Sequence, residues 1–462
     1  MKRKHFCLYN AYIAAGSIAV FLVFSCATTN EAYRTIDAHV QRESYETALH
    51  ELQRTHKKVY PKKNAVLLHL DRGMLAHYAG KFSESSKDLE AAEALIEKYY
   101  AKSVTQEIAS YIANDNTKDY AGEEYENIYI NIFNALNYYH QGSLEDALVE
   151  IRRVNEKLVD LEDKYHKAIE RARKANKNGS GVTSDAEVNF NSSALARYLG
   201  ALLYRADGRS DDARIDFVGI EQAYSSSPNV YPFPCPPAFR AQGSPGYETA
   251  PELAIPAGKA RFNIIAFTGL SPYKEEESTI IPLPLPAPNH FARISLPRLV
   301  NRPSQVTRVA VSLYPVLQEG EAGDSPASAG EAVAFNLDLI EDMGLAAAET
   351  FKASYALTVV KSTMRSIIKQ TAGAGISSIA EEYGGSALGL LAGIFTTIVN
   401  TASEQADIRV SRYLPRYAFA GGITVEPGRY RVRVQFADGV RYEKPVTIRE
   451  GRLNLVEAFY LK

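Results

Sequence analysis

Tyr125-Glu126-Asn127-Ile128-Tyr129-Ile130-Asn131-Ile132-Phe133-Asn134-Ala135-Leu136-Asn137-Tyr138-Tyr139-His140-Gln141-Gly142-Ser143-Leu144-Glu145-Asp146-Ala147-Leu148-Val149-Glu150-Ile151 is the stretch on which the reading of the first half of the chain turns. Tyr125, Ile128, Tyr129, Ile132, Phe133 and Leu136 recur at steps of three and four, which places them on one face of a helix. Gly142 interrupts that period, and Leu144, Ala147, Ile151 and Val154 resume it on a second helix. A glycine suits the interruption because a tight turn between paired helices needs a residue that tolerates positive φ. The small Ala147 lets the two helices approach closely.

The same offsets occur twice more without gaps. Gly80, Phe82, Ser85, Leu89 and Ala92 form one copy, Gly208, Ser210, Ala213, Phe217 and Ile220 another, and Tyr45, Ala48 and Leu52 a weaker one. These offsets resemble a tetratricopeptide (TPR) repeat, so residues 26–224 are predicted to form a TPR-like helical array. The glycines are spaced at nearly twice the usual period of about 34 residues. The helices must therefore be elongated or interrupted, and Asn176 to Ser184 is one predicted interruption. Such an array offers a concave groove to a peptide or protein partner; a stack without a ligand is the alternative.

Beyond the array, residues 225–258 are dense in Pro, Ser and Gly and read as a linker. The period then changes to two. Arg261 to Phe267, Thr279 to Leu283, Phe291 to Leu296, Val306 to Tyr314 and Ala332 to Ile340 are predicted strands. Near the C-terminus Tyr430, Val432, Val434 and Phe436 alternate with Arg429, Arg431, Arg433 and Gln435, and Ala437-Asp438-Gly439 makes a hairpin turn. Pro427-Gly428 suits the centre of a type II turn. The expected fold is α+β: the helical array, then an immunoglobulin-like β-sandwich built from residues 259–343 and 410–462. Residues 344–409, broken at Gly373 to Gly375, are expected to insert into it as a helical hairpin. Within that insertion Tyr383 to Ser403 carries no charge, and Gly385, Gly389 and Gly393 form a small-residue stripe. The stretch is expected to be buried against protein, with membrane insertion as the alternative.

The N-terminus carries an address. Lys2, Arg3, Lys4 and His5 precede an apolar run from Ala11 to Phe24, too short for a span of about 20 residues, and Ser25 and Cys26 follow. Val23-Phe24-Ser25-Cys26 resembles a lipobox, which implies a signal peptide over residues 1–25 and lipid attachment at Cys26. Ala27 rather than an Asp implies outer-membrane sorting, so the expected location is the bacterial cell envelope, lipid-anchored and facing the periplasm. Three cysteines among 462 residues cannot make a disulfide framework.

Chemistry is sparse. Lys+Arg 52 against Asp+Glu 54 gives a formal charge of -2, which does not favour a nucleic-acid partner. No His-Glu-x-x-His pair, phosphate loop or Gly-x-Ser-x-Gly elbow occurs. Ser366-Ile367-Ile368-Lys369 matches Ser-x-x-Lys, but without the companion motifs of penicillin-binding enzymes. The chain is therefore expected to be no enzyme, with no cofactor, no metal and no small-molecule substrate. Glu404, Asp407 and Arg409 sit at a helix-to-strand junction, where a structural ion pair or cap is the first expectation and a partner-binding patch the alternative; the basic stripe Arg429, Arg431 and Arg433 is expected to be solvated, with contact to an acidic partner as the alternative.

Gly269-Leu270-Ser271-Pro272-Tyr273-Lys274, Ile281-Pro282-Leu283-Pro284, Leu296-Pro297, Glu404-Gln405-Ala406-Asp407-Ile408-Arg409 and Leu414-Pro415 resemble a largely uncharacterised bacterial family of TPR-containing envelope lipoproteins. Members tend to be encoded beside lipoproteins that resemble activators of penicillin-binding proteins. The resemblance implies a non-catalytic scaffold, anchored to membrane by its lipid and recruiting protein through its repeats, with a role in peptidoglycan or envelope assembly. Tyr413 stands where that family would place a tryptophan. The alternative function is an assembly or export component that inserts the apolar 383–403 helix into membrane.

Overall fold

A computed structural model describes residues 33–105, 118–175, 189–240, 250–282, 291–302, 304–316, 331–371, 406–437 and 439–462. Helix α1 covers residues 33–41, and then come α2 (Tyr45–Val59), α3 (Ala65–Tyr78), α4 (Phe82–Thr105), α5 (Glu124–His140), α6 (Leu144–Ala175), α7 (Ala194–Ala206) and α8 (Ser210–Ser226). Three helical hairpins, α3/α4, α5/α6 and α7/α8, turn at the glycines read from sequence. Gly80, Gly142 and Gly208 have φ of +72°, +82° and +76°, and a Cβ on any of them would meet nothing within 4 Å. Glycine is there for its backbone conformation. Each turn closes the same way: the N–H after the glycine bonds a carbonyl five residues back, as Ser143 does to Tyr138 at 2.9 Å. The helices are elongated as expected, α4 to 24 residues and α6 to 32. The interruption expected at Asn176 to Ser184 lies outside the described residues.

Among the described residues the strands form no immunoglobulin-like sandwich of two facing sheets. Among the described residues β1 (Ala260–Leu270), β4 (Val309–Pro315), β5 (Val333–Asp342), β6 (Pro415–Val425), β7 (Gly428–Phe436), β8 (Gly439–Ile448) and β9 (Asn454–Tyr460) make one sheet in the order β8-β7-β4-β5-β6-β1-β9. β1 and β9 run parallel, and the other neighbours antiparallel. The sheet curls until β8 and β9 approach without pairing, which makes it a nearly closed barrel. Gly428 opens β7 without adopting positive φ, so the expected type II turn is absent. Strands β2 (Tyr273–Pro282) and β3 (Phe291–Val300) form a separate hairpin packed on α9 (Met343–Thr371).

The departure from a sandwich has a physical cause, visible in β1. Phe262, Ile264 and Ala266 point into the barrel, while Ile265 and Phe267 on its other face join the helices. An outer sandwich face would be wet; here helices cover it along β1, β5, β6 and β9. One hydrophobic core thus runs from Ile36 in α1 to Leu461 beyond β9. The stretch read as a linker belongs to it as well, through Val230, Tyr231, Phe239 and Ala250. Of the inserted hairpin, the first limb is α9; its second limb, including Tyr383 to Ser403, lies outside the described residues, as do Cys26 and Glu404.

Candidate functional site

The first helices of the hairpins, α3, α5 and α7, turn their inner faces to the barrel. Every residue of α5 from Ile128 to Asn137 is buried, and α7 is buried on ten of its 13 positions. Helices buried on all sides need an occupant on the side away from their own hairpin. Here that occupant is the chain itself: the outer faces of β1, β5 and β9, and an extended strap over residues 406–414.

The strap is held by carboxylates that rise from the inner helices. Asp71 of α3 accepts hydrogen bonds from Ser411 Oγ (2.8 Å), the Arg412 backbone N–H (2.9 Å) and the Tyr60 hydroxyl (2.5 Å). Glu126 of α5 accepts from the Ser411 N–H (2.5 Å), the Tyr120 hydroxyl (2.7 Å) and the Glu123 N–H (2.8 Å). The Tyr78 hydroxyl donates to the Tyr413 carbonyl (2.8 Å), and Tyr413 and Arg412 both reach Asp37. Burial, together with the neighbouring Glu123 charge, raises the Glu126 carboxyl to about 7. Burial raises Asp71 too, against its hydrogen bonds.

Asp407 and Arg409, expected as a structural ion pair with a partner-binding patch as the alternative, are brought together inside this junction. Two guanidinium nitrogens of Arg409 grip Asp407 at 2.6 and 2.8 Å, and a third bonds Asn64 Oδ1 (3.2 Å) and the Lys118 carbonyl (2.9 Å). The guanidinium lies 5.2 Å above the Tyr120 ring. Burial acts against the Asp407 charge, and the Arg409 contact outweighs it, so its pKa is lowered. The pair clasps the strap to the helices and leaves Arg409 with a side chain only 9% exposed. Arg429, Arg431 and Arg433 do lie on an open face, the outer side of β7. Glu443 of β8 faces two of them, at 3.0 Å from Arg433 and 3.5 Å from Arg431, and Arg433 also covers the Tyr314 ring.

A second buried cluster pins α3 and α5 to β9. Glu457 receives His77 Nε2 at 3.0 Å and His140 Nε2 at 2.6 Å. His77 Nδ1 faces Asn137 Oδ1 at 2.7 Å. The Asn137 amide is oriented by Ser85, which accepts from its Nδ2 and donates to the Gly73 carbonyl. Both ring nitrogens of His77 therefore meet acceptors, and the ring is an imidazolium. Burial alone would lower the His77 pKa; the Glu457 charge overrides it and raises the value. Burial likewise opposes the Glu457 charge, but the two histidines bring its pKa down to about 2. A third carboxylate, Glu341 of β5, takes four donors: Tyr129, Ser193 and Tyr231 hydroxyls and the Leu195 N–H at the start of α7. Sequence reasoning passed over these groups. The one visible signal is Glu457, the lone acid in the otherwise apolar and amide strand β9, because an acid is fully buried only when partnered.

None of these clusters presents a nucleophile beside a base at an open surface, and each carboxylate is spent on a structural contact. Among the described residues no group of three His, Cys, Asp or Glu is placed to hold a metal ion, and no helix is long and apolar enough to cross a membrane. The chain matches no family model, no curated protein and no solved structure. The readable site is therefore the junction itself, and two clefts lie elsewhere on the described surface. One of about 540 Å³ lies where β8 and β9 converge, and one of about 450 Å³ lies between β3 and α9.

Proposed function

We propose that this chain is a lipid-anchored scaffold of the bacterial envelope, without catalysis, that presents protein-binding surfaces while its own strap and barrel fill the groove of a TPR-like array. The observation that carries the reading is the strap over residues 406–414, whose backbone is read by Asp71 and Glu126 in the manner expected of a bound peptide. A groove filled in cis leaves recruitment to the outer helices and the open barrel face. Val159 on α6 and Ile215 on α8 are exposed there, at 66% and 57%. The anchor at Cys26, the outer-membrane location and the link to peptidoglycan assembly rest on the signal-like N-terminus and the family resemblance. They belong to the same proposal.

The test is photo-crosslinking in cells from Val159, Ile215 and Arg431, beside metabolic labelling with a fatty-acid analogue. A discrete protein adduct from at least one position, and label lost in Cys26→Ala, are the expected results. Absence of adducts from all three positions counts against the scaffold, and label retained by Cys26→Ala counts against the anchor. The membrane-inserting alternative predicts that Cys26→Ser protein still floats with liposomes.

A further inference from the structure

We propose that the seam between β8 and β9 is a docking site for an acidic, extended segment of a partner protein. This deepens the scaffold reading and rests on it. The seam is where the barrel fails to close: among the described residues β8 pairs only with β7 and β9 only with β1. Pro445 stands opposite Arg431 in the β7–β8 ladder. A proline fits a ladder only where its missing N–H faces away from the partner strand. The register therefore turns the backbone groups of Glu443, Pro445 and Thr447 to the seam. Pro445 leaves the centre of that edge without a donor, while Glu443 and Thr447 on either side retain theirs for an added strand. On the opposite bank the Tyr139 hydroxyl accepts the Leu455 N–H (3.1 Å) and donates to the Leu453 carbonyl (3.1 Å), so the start of that edge is satisfied. One usable strand edge borders a cleft of about 540 Å³, floored by Phe262 and Val456. An exposed edge of this kind accepts an added strand through main-chain hydrogen bonds.

The charge of the occupant follows from the mouth of the cleft. Arg449 and Arg452 line it from the β8–β9 turn. Asn454 braces that turn, accepting the Arg449 N–H (2.9 Å) and donating to the Arg449 (3.0 Å) and Arg452 (3.2 Å) carbonyls. Glu450, the acid between the two arginines, is drawn away to the Gly258 N–H (2.8 Å). Neither guanidinium has an ion-pair partner among the described residues, and Arg429 and Arg431 extend the basic surface along β7. In a chain of net charge -2 this is a local concentration of positive charge, complementary to Asp- or Glu-rich sequence.

The experiment uses the full chain in detergent and fluorescence anisotropy with three short labelled peptides: alternating Glu and Val, alternating Lys and Val, and the Glu/Val peptide N-methylated at alternate residues. The Glu/Val peptide is expected to bind, more weakly as salt rises. The Lys/Val peptide is expected not to bind, and the N-methylated one to bind about tenfold more weakly, having lost its edge-pairing donors. The double variants Arg449→Glu/Arg452→Glu and Arg449→Gln/Arg452→Gln should each lose the Glu/Val peptide with an unchanged melting curve. Equal binding by the N-methylated peptide would show a charge effect without strand docking and overturn the proposal. So would undiminished binding by either double variant, or no binding of the Glu/Val peptide at all. Adducts from Val159 or Ile215 would still stand in those cases, so the scaffold reading fails separately.

Discussion

Glu126 and Glu457 are both fully buried and both tie inner helices to the C-terminal part of the chain, yet they are poised in opposite directions. Glu457 meets two histidines and is brought down to about 2, while Glu126 meets hydroxyls, amides and a second acid and is pushed up to about 7. Burial acts the same way on both. The difference lies in whether an opposite charge was buried with the carboxylate. One contact is an ion pair; the other is a polar clasp that weakens as it ionises.

The largest effect is expected from breaking the ion pair. Glu457→Ala strands the His77 imidazolium in the core and should cost about 3–5 kcal/mol in urea unfolding. A loss below about 1 kcal/mol would mean that His77 is neutral. The second test sharpens the contrast through pH. Glu126 has a folded pKa of about 7, above its ordinary 4.5, so its contribution is fully present below 4.5 and is lost as pH rises through 7. His77, raised above 6.5, loses its contribution in the same direction, as pH rises through its folded value. Glu457 has a folded pKa of about 2, so its contribution is present above 4.5 and is lost as pH falls towards 2. Stability should therefore peak near pH 4.5, where the Glu457 gain is complete and the Glu126 loss begins, and Glu126→Gln should remove on the order of 3 kcal/mol of the decline on the alkaline side. An unchanged alkaline limb in that variant would place the titration elsewhere.

Smaller effects are expected away from the junction. Gly142→Ala should cost about 1 kcal/mol by thermal melting, because φ is +82° and no neighbour is in the way; Gly80→Ala and Gly208→Ala should match it. A cost that differs widely among the three would break their equivalence. Arg431→Ala should leave the urea midpoint unchanged, since the side chain is 59% exposed and its contact with Glu443 is long. A clear loss there would show that the open barrel face carries structure as well as charge.

The helix pairs, the three turn glycines and most strands were legible, because each rests on a local period or on one backbone conformation. Ser85, Ala147 and Ala213, read as close-approach positions, are all buried. The site was legible only in part. An ion pair of Asp407 with Arg409 at the junction could be expected, but not what it clasps, because nothing in their own neighbourhood shows the helices that cover them. Asp71, Glu126 and Glu457 looked like ordinary acids: Glu126 follows Glu123 and Glu124 at the start of α5, and only Glu457, the lone acid of β9, already pointed to a buried contact. The strands β6 and β9 were missed altogether: β6 carries Ala418, Ala420, Gly421 and Gly422, and β9 is buried on both faces, so neither alternates as a half-wet strand does.

By itself the sequence determined the α+β composition, the helix-turn-helix pairing and the alternation of β7, since periods of 3.6 and 2 and the left-handed turns act within a few residues. Only the tertiary structure decided that the strands curl into one barrel, that the helices cover its outer face, and that residues 406–414 lie in the groove. The bond from the Ser411 N–H to Glu126 spans 285 residues, and the bond from His77 to Glu457 spans 380. A chain reveals which of its faces are apolar, but what covers a second buried face is settled only when distant segments meet and each buried charge finds its partner.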